Sequence, residues 1–232
     1  MNRQIAERDQ CRKCVCRPNS AFNALGEHDL FEIDRIRSLV QFCSGANVPL
    51  KFENEEGFYC IRRGHLKLEV DRSKDTRTVR ICGPGDLVGF DSDGTRKHVV
   101  TALEDGTACF FSWGTFQNLL MSSTQVCSGV IKMLCKIIAL NNRRIAALQN
   151  SSVRSRVAAL LLSLDSKFGD HSSPSSKIDV RIDRKTLAGL AGTAVENLSR
   201  MLTEFEQEGA IIRDGRDIRI ANKSVLEKLV IS

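Results

Sequence analysis

The middle of the chain alternates between apolar and polar residues in short segments. Five such segments occupy residues 58–61, 65–70, 78–81, 99–103 and 107–111, and glycines such as Gly64, Gly85, Gly89 and Gly106 separate them. Alternation with a period of two, interrupted by turn residues, predicts antiparallel β-strands. The pattern therefore predicts a β-roll or jelly roll. Ahead of it, residues 27–42 have the apolar periodicity of a helix.

A long amphipathic helix is predicted over residues 122–149. Apolar residues recur along it at spacings of four and three, which is an a/d heptad seam sustained over three heptads. The seam predicts a parallel coiled coil in a homodimer, although a helix buried within one subunit gives the same pattern. A second stripe (Val130, Met133, Ile137 and Leu140) is expected to pack on the β-roll. The seam consists of Cys127, Ile131, Leu134, Ile138, Asn141, Ile145 and Leu148, and Asn141 is its polar, register-fixing member.

Two short helices around a glycine-containing turn are predicted near the C-terminus, which is a helix-turn-helix. The turn is placed at Ala191-Gly192-Thr193 and the second helix at residues 194–208. Thr193 is expected to cap this helix, with Glu196 completing a capping box. Its buried stripe is predicted to contain Val195, Leu198, Leu202 and Phe205.

A hairpin is predicted after the second helix. Residues 210–212 and 217–220 alternate like strands around Arg213-Asp214-Gly215-Arg216, and Asp-Gly is a hairpin turn signal. Residues 153–168 predict a further amphipathic helix and residues 178–182 a strand. A helix-turn-helix with a β-wing is a winged helix, whose expected ligand is double-stranded DNA.

Composition and charge narrow the class of protein. The chain has 232 residues, 42% of them hydrophobic and 27% charged, which is ordinary for a soluble globular protein. It contains neither an apolar run long enough to span a membrane nor a signal sequence, so a cytoplasmic protein is expected. The net charge of +6 permits a polyanionic partner. Arg154 and Arg156 either face DNA phosphates or are solvated.

Nine cysteines without an export signal argue against a disulfide framework and favour a metal, cluster or redox site for some of them. Cys60, Cys82 and Cys135 stand in apolar surroundings and are expected to be small core residues. No dinucleotide, Walker or nucleophile–base motif is present, so an enzyme, such as a small iron–sulfur oxidoreductase, is a remote alternative.

Residues 195–200, followed by Phe205, Gly209 and the Gly215-Arg216 wing, resemble the C-terminal module of the cyclic-AMP receptor/fumarate-nitrate regulator superfamily. Residues 58–68 and 85–89 resemble its sensor domain, so the resemblance covers nearly the whole chain. It implies an α+β homodimer that regulates transcription with RNA polymerase. The implied domains are a cysteine-rich segment (1–25), a β-roll sensor (26–121), a dimerisation helix (122–150) and a winged helix-turn-helix domain (151–232).

The same resemblance implies how DNA is read. In the fumarate-nitrate branch a Glu-x-x-Ser-Arg pattern reads base edges, and here it corresponds to Glu196, Ser199 and Arg200, with Thr193 and Arg216 nearby. Arginine can bridge guanine O6 and N7, and a carboxylate can accept from cytosine N4. Palindromic sites of the TTGA type are expected. Alternatively, Glu196 only caps its helix and Arg200 is a solvated charge.

The sensor resembles the same branch. Phe90 stands where nucleotide-binding members have glutamate, so no cyclic nucleotide is expected. The branch carries a [4Fe–4S] cluster on three N-terminal cysteines and one β-roll cysteine, which implies Cys11, Cys14, Cys16 and Cys109 as ligands. Oxygen, nitric oxide or redox state would be the signal.

The tight Cys14-x-Cys16 spacing departs from the branch's pattern. It leaves open a different third thiol such as Cys43, a cluster of other nuclearity, a zinc site or an oxidisable thiol group. A cluster-free or thiol-regulated member of the superfamily is therefore the main alternative.

Overall fold

The computed structural model describes residues 11–72, 75–89, 98–150, 152–171, 175–215 and 217–231. The chain divides into two compact units, Met1–Ala139 and Leu140–Ser232, and the boundary lies within one long helix. Among the described residues no single helix is long and apolar enough to cross a membrane. In this part of the chain, one pair of helices, Trp113–Ser122 and Thr124–Gln149, meets the length and composition together, but the pair is bent by 113° and is weak evidence for a span.

The first unit begins with two 3₁₀ turns, Cys11–Lys13 and Arg17–Asn19, which we call, with the residues up to Leu25, the N-terminal segment. Its helices are α1 (Glu27–Ile36), α2 (Trp113–Ser122) and the start of α3 (Thr124–Asn150). Its strands are β1 (Arg37–Phe42), β2 (Lys51–Phe52), β3 (Glu55–Arg63), β4 (Leu66–Arg72), β5 (Asp75–Cys82), β6 (Leu87–Val88), β7 (His98–Ala102) and β8 (Gly106–Ser112).

These strands form two antiparallel sheets. One has the order β1-β8-β3-β2, with β6 also paired to β3, and the other has the order β5-β4-β7. Residues from both sheets, among them Tyr59, Ile61, Leu66 and Val100, form one buried cluster, which we call the inner core. The β-roll predicted from the alternation is therefore confirmed.

The five-stranded sheet is buried on its other face as well. Successive residues of a strand point to opposite faces, and on β3 Tyr59 and Ile61 enter the inner core while Phe58 and Cys60 enter a second cluster. We call this second cluster the outer cluster. It also contains residues of the N-terminal segment, α1, α2 and the first turns of α3. The ring of Phe58 stacks on Phe111 with centroids 5.3 Å apart.

The predicted helix over residues 27–42 was wrong in its second half. Helix α1 ends at Ile36, and Leu39 and Val40 belong to β1, where they pair with Cys109 and Ala108 of β8. Val40 is buried in the inner core. Strand pairing with a distant segment overrides the local helical periodicity here. Helix α2 was not predicted.

Helix α3 confirms the predicted long helix and packs closely on the N-terminal segment. A Cβ atom on Gly129 would lie 2.1 Å from the backbone oxygen of Ala21, so only glycine permits this approach. Gln125 accepts a hydrogen bond from the backbone N–H of Gly26 at 3.2 Å. In the second stripe Val130 is buried and Met133 packs on the outer cluster, but Leu140 is exposed.

The second unit holds the rest of α3 and a winged helix. The predicted helix over residues 153–168 and the hairpin are confirmed. The predicted strand over residues 178–182 was wrong except for Ile178, because the observed strand covers Ser176–Ile178. The helix at Lys223–Ile231 was not predicted. Its helices are α4 (Val153–Phe168), α5 (Arg184–Ala191), α6 (Val195–Gln207) and α7 (Lys223–Ile231), and one antiparallel sheet joins β9 (Gly169–Asp170), β10 (Ser176–Ile178), β11 (Ile211–Asp214) and β12 (Asp217–Ile220) in the order β11-β12-β10-β9.

The close approach of α3 to the N-terminal segment can be tested with Gly129→Ala. The added methyl group would meet a backbone atom that cannot move by itself, and overpacking of this kind costs about 1–3 kcal/mol. Unfolding in urea, followed by the fluorescence of Trp113, the single tryptophan of the chain, should show that loss for the first unit.

The matched control is Gly114→Ala in α2. A Cβ there has no neighbour within 4 Å, and alanine favours a helix over glycine by up to about 1 kcal/mol. We therefore expect the control to be unchanged or slightly more stable. Equal stability of both variants would contradict the described packing of α3.

Candidate functional site

The structure brings the four cysteines implied as ligands to one place. Cys11, Cys14, Cys16 and Cys109 line a space of about 300 Å³, part of it open to solvent, between the N-terminal segment and the outer face of the five-stranded sheet. We call this space the thiol cavity. The geometry agrees with the expected grouping, and the role of these residues as ligands stays a prediction. Other residues that line the cavity are Arg17, Ser20, Phe22, Arg37, Cys60, Arg62 and Phe111.

The N-terminal segment supplies three of these thiols from tight turns. The backbone N–H of Cys14 donates to the carbonyl of Cys11 at 3.1 Å, so the two residues form one 3₁₀ turn. Cys16 follows in the next turn and is buried, whereas Val15 between them is 90% exposed. The sulfur atoms of Cys14 and Cys16 lie 3.2 Å apart.

The sheet supplies two thiols, of which the sequence indicated only one. Cys60 on β3 is paired directly with Cys109 on β8, and both belong to the outer cluster. The interpretation of Cys60 as an ordinary core residue was therefore incomplete, because its side chain also lines the thiol cavity. Its apolar neighbours in the sequence resemble those of any core strand. Only the register of β3 against β8 reveals its position.

Asp34 of α1 links the N-terminal segment to the sheet. Its carboxylate accepts the backbone N–H of Cys11 at 2.9 Å and the Nε–H of Arg37 at 2.7 Å. The guanidinium of Arg37 in turn lies 3.5 Å from the sulfur of Cys109. A largely buried positive charge therefore stands beside the thiols, where it favours their negatively charged form.

Burial is the largest cause of the pKa shifts of Cys11 and Cys109. Burial, followed by the charge of Asp34, raises the pKa of the Cys11 thiol to about 12. Burial also raises the pKa of Cys109, although the nearby Arg37 guanidinium opposes the shift. These thiols are therefore protonated at neutral pH unless a bound metal displaces the proton.

Cys43, Cys82 and Cys135 lie elsewhere. Cys82 is buried in the inner core, as expected, and accepts a hydrogen bond from Arg80 at 3.1 Å. Cys135 is exposed, so its prediction as a core residue was wrong. Cys43 is also exposed and does not line the thiol cavity, so the structure does not support it as the third thiol.

The arrangement of the thiols differs from that of a site for one metal ion. Within the described part of the chain, no group of three or more His, Cys, Asp or Glu side chains is arranged to hold one metal ion. The thiols surround a space rather than one point. The donor set, with Arg37 and Arg62 beside it, suits an anionic iron–sulfur cluster, since such clusters are held by soft thiolates.

The candidate DNA-reading residues lie on an open face of α6. Glu196, Ser199 and Arg200 are all exposed, while Leu198, Met201, Leu202 and Phe205 form the buried face. Arg200 donates to the side-chain oxygen of Asn197 at 3.4 Å. Val195, expected in the buried stripe, is 37% exposed, and Met201 takes that role instead.

The predicted capping box was wrong. The N-cap of α6 is Ala194, which has no side-chain cap bond, because the turn extends one residue further than expected. Gly192 adopts a left-handed φ of 63°, and the backbone N–H of Thr193 donates to Ala188 at the end of α5. Glu196 therefore has no Thr193 partner for a capping box. Arg216 lies outside the described residues, so its position in the wing is not assigned.

Two arginines that were expected to face phosphates or solvent make internal contacts. Arg154 donates to Glu204 at 2.7 Å and to Glu208 at 2.5 Å, and its guanidinium lies over the ring of Phe205. Arg156 donates to the backbone oxygens of Ala191 and Gly192 at 3.0 and 3.2 Å. Both side chains therefore hold the helix-turn-helix in place.

The heptad seam is largely exposed in the single chain. Leu134 packs on the outer cluster, and Asn141 is exposed. The alternative of a seam buried within one subunit is not supported by these exposures. The exposed apolar members are Ile131 (54%), Ile138 (57%), Ile145 (53%) and Leu148 (43%).

Comparisons with known proteins agree with this architecture. Residues 155–229 match the Crp-like helix-turn-helix domain, and residues 39–123 match the cyclic nucleotide-binding domain. The chain is 25% identical over 223 residues to a fumarate nitrate reduction regulatory protein of Klebsiella oxytoca, covering 94% of this chain and 89% of the relative. It is 25% identical over 218 residues to the regulatory protein HlyX of Actinobacillus pleuropneumoniae, covering 90% and 89%.

The solved structure of FixK2 from Bradyrhizobium japonicum has the same fold. It superposes with a TM-score of 0.72 over 84% of this chain and 97% of that chain, at 18% identity. The fold and the two domain matches define a DNA-binding transcription regulator. The chain belongs to the cyclic-AMP receptor/fumarate-nitrate regulator family, and its relatives place it in the fumarate-nitrate branch.

Both of these relatives, from Klebsiella and Actinobacillus, are named as regulators rather than enzymes. The domain match to the β-roll describes a fold and does not identify a ligand. Phe90, which underlies the expectation that no cyclic nucleotide binds, lies outside the described residues, together with residues 91–97.

Proposed function

We propose that this chain is a homodimeric regulator whose DNA affinity is controlled by a [4Fe–4S] cluster held in the thiol cavity. The observation that carries the proposal is the convergence of Cys11, Cys14, Cys16, Cys60 and Cys109 on one cavity, although Cys16 and Cys109 are 93 positions apart in the chain. Four of these thiols would supply the ligands. The bound cluster would provide iron that reacts with oxygen, nitric oxide or oxidants.

The protein's own residues suit this role. The cavity is bordered by apolar side chains such as Phe22 and Phe111, which limit the access of water. Arg37 supplies a positive charge that offsets the charge of bound thiolates. Asp34 fixes the backbone of Cys11 and the side chain of Arg37 together.

The N-terminal segment provides a route from the cavity to the dimer helix. Its turns place Cys14 and Cys16 at the cavity, and its next residues place Ala21 against Gly129 of α3. If thiols of the segment and Cys109 bound the same cluster, the segment would stay docked on the sheet. Ala21 would then stay in contact with α3. A segment released from the cavity would change the packing of α3, and with it the dimer.

The exposed seam supports a homodimer. Four apolar side chains with exposures between 43% and 57% would lie in water along one stripe of α3 unless a partner covers them. A second copy of the same helix would pair its a and d residues with this stripe. Two recognition helices in one dimer would then read two half-sites about one helical turn apart.

In DNA reading, Glu196, Ser199 and Arg200 are the residues proposed to contact base edges of TTGA-type half-sites. All three are exposed on α6 and none of them is part of the buried face. RNA polymerase is the proposed partner at the promoter. A thiol-regulated member without a cluster is the second candidate, since the 3.2 Å separation of the Cys14 and Cys16 sulfurs would suit an oxidisable pair.

The cluster proposal is tested on protein purified without oxygen. We expect a brown protein with about four iron and four sulfide per chain, as the cluster formula requires. Exposure to air should bleach the colour and weaken binding to a palindromic TTGA site. Colourless protein without iron would contradict the cluster and favour the thiol-regulated alternative.

The dimer seam is tested with Ile138→Glu. Two glutamates would face each other in the apolar seam, and burying like charges is unfavourable, so sedimentation should show monomers. The control is Ala139→Glu, which adds the same charge to the neighbouring exposed residue outside the seam and should remain dimeric. A dimeric Ile138→Glu would rule out this seam.

Base reading is tested with Arg200→Ala and Glu196→Ala. Loss of a bidentate contact costs about 1–3 kcal/mol at the specific site and relaxes the preference for the contacted base. Because no capping box forms, Glu196→Ala should broaden specificity and change the stability only by the helix-dipole term, at most about 1 kcal/mol.

Binding is measured by fluorescence anisotropy on the site and on single-base variants of it. Lys132→Ala, which removes an exposed charge from α3, is the control for a general loss of electrostatic attraction. If Glu196→Ala lowers only the stability and leaves the base preference unchanged, its assignment as a base-reading residue is wrong.

A further inference from the structure

The thiol cavity contains one more cysteine than a [4Fe–4S] cluster needs. Five thiols line it: Cys11, Cys14 and Cys16 from the N-terminal segment, and Cys60 and Cys109 from the sheet. Cys60 is 6% exposed and Cys109 is 7% exposed, so the two sheet thiols are about equally buried. The resemblance implies Cys16 as a ligand, whereas the structure offers Cys60 as an alternative to it. The question is which of these two thiols completes the set of four.

The sheet holds Cys60 and Cys109 as a matched pair. The two residues are directly opposite on antiparallel strands β3 and β8, which places their side chains on the same face with Cβ atoms roughly 4.5–5.5 Å apart. Strand β3 is also paired with β2 and β6, so its backbone is hydrogen-bonded along both edges. Both thiols are thus presented to the cavity by a rigid part of the fold.

Cys16 is less well placed than Cys60 to bind the same cluster as Cys14. Their sulfur atoms are in contact at 3.2 Å, and only Val15 separates the two residues. In a cubane cluster the terminal thiolates bind different irons at different corners and so lie well apart. Cys11 and Cys14, by contrast, are spaced Cys-x-x-Cys around one turn, a spacing that also occurs in bacterial ferredoxin sites.

Cys16 also has a second neighbour. Its thiol shares a hydrogen bond with Cys60 as well as with Cys14, so it lies between the segment thiols and the sheet thiols. The backbone oxygen of Cys16 lies 3.0 Å from a Cβ position on Gly85, which fixes the turn against the β-roll. Its place in the structure is therefore that of a residue that anchors the segment.

We infer that Cys60 is the fourth thiolate ligand, so that Cys11 and Cys14 of the N-terminal segment and Cys60 and Cys109 of the sheet hold the cluster. Cys16 is then a neighbouring thiol that does not bind iron. This ligand set rests on the proposed function, in which the cavity takes a [4Fe–4S] cluster. Two ligands on each side would join the segment to the sheet symmetrically.

The test compares alanine variants of full-length protein reconstituted with iron and sulfide without oxygen. Wild type and Cys16→Ala should hold about four iron per chain, and Cys60→Ala should lose at least half of that iron. Cys82→Ala is the matched control, because Cys82 is also a fully buried strand cysteine but belongs to the inner core. It should keep the wild-type iron content.

Two further measurements distinguish the loss of an iron ligand from a loss of stability caused by the substitution. Urea unfolding of the iron-free proteins, followed by Trp113 fluorescence, should give the same midpoint for Cys60→Ala and Cys82→Ala. In Cys60→Ser, any cluster that remains would have an oxygen ligand, so its visible absorption and the electron paramagnetic resonance spectrum of its reduced form should differ from wild type. Cys16→Ser should match the wild-type spectra.

Full iron content in Cys60→Ala, or a wild-type spectrum in Cys60→Ser, would overturn the assignment. Iron lost from Cys16→Ala but kept by Cys60→Ala would return the ligand role to Cys16 and leave the proposed function intact. Wild-type protein without iron would overturn both the ligand set and the cluster proposal.

Discussion

The docking of the N-terminal segment on the outer face of the five-stranded sheet is the contact on which the candidate sensor depends. Phe22 anchors it by entering the outer cluster, where its ring lies 5.7 Å from that of Phe111. Asp34 holds its first turn through the backbone N–H of Cys11. Because the segment and the sheet each carry part of the thiol set, neither forms the cavity alone. In the proposed function, a change at the thiols would therefore act directly on this docking.

The N-terminal segment also lies close to the backbone at two glycines, one in the β-roll and one in α3. Gly85 of the β-roll lies against Asn19 and Cys16, and Gly129 of α3 lies against Ala21. At both positions a side chain would collide with backbone atoms, which do not yield as a flexible side chain does. The segment is therefore packed between the β-roll and the start of α3. This arrangement connects the thiol cavity physically to the helix that carries the exposed seam.

The second unit separates structural charges from those available to DNA. Arg154 and Arg156 are occupied by Glu204, Glu208 and the carbonyls at the end of α5. The guanidinium of Arg213 pairs with Glu206 and so braces the wing against α6. The positive charges of these arginines contribute to the net charge of the chain, but they are engaged in contacts within the protein. Glu196, Ser199 and Arg200 on α6, by contrast, are exposed, as the proposed base reading requires.

The sequence by itself determined the elements whose signal is local. The β-roll alternation, the heptad spacing of α3 and the helix-turn-helix with its Asp-Gly wing were all predicted from neighbouring residues, because period and turn chemistry are properties of short segments. The sequence also indicated Cys11, Cys14, Cys16 and Cys109, through a resemblance rather than through any physical signal in their spacing.

Only the tertiary structure decided what depends on residues far apart in the chain. Residues 37–42 were predicted as helix but form strand β1, because they pair with β8. Ala194, not Thr193, is the N-cap of α6, because the backbone N–H of Thr193 is bonded to the carbonyl of Ala188 in α5. Cys60 joined the thiol cavity because the register of β3 sets it opposite Cys109. Register is a relation between two strands, and neither strand's sequence contains it.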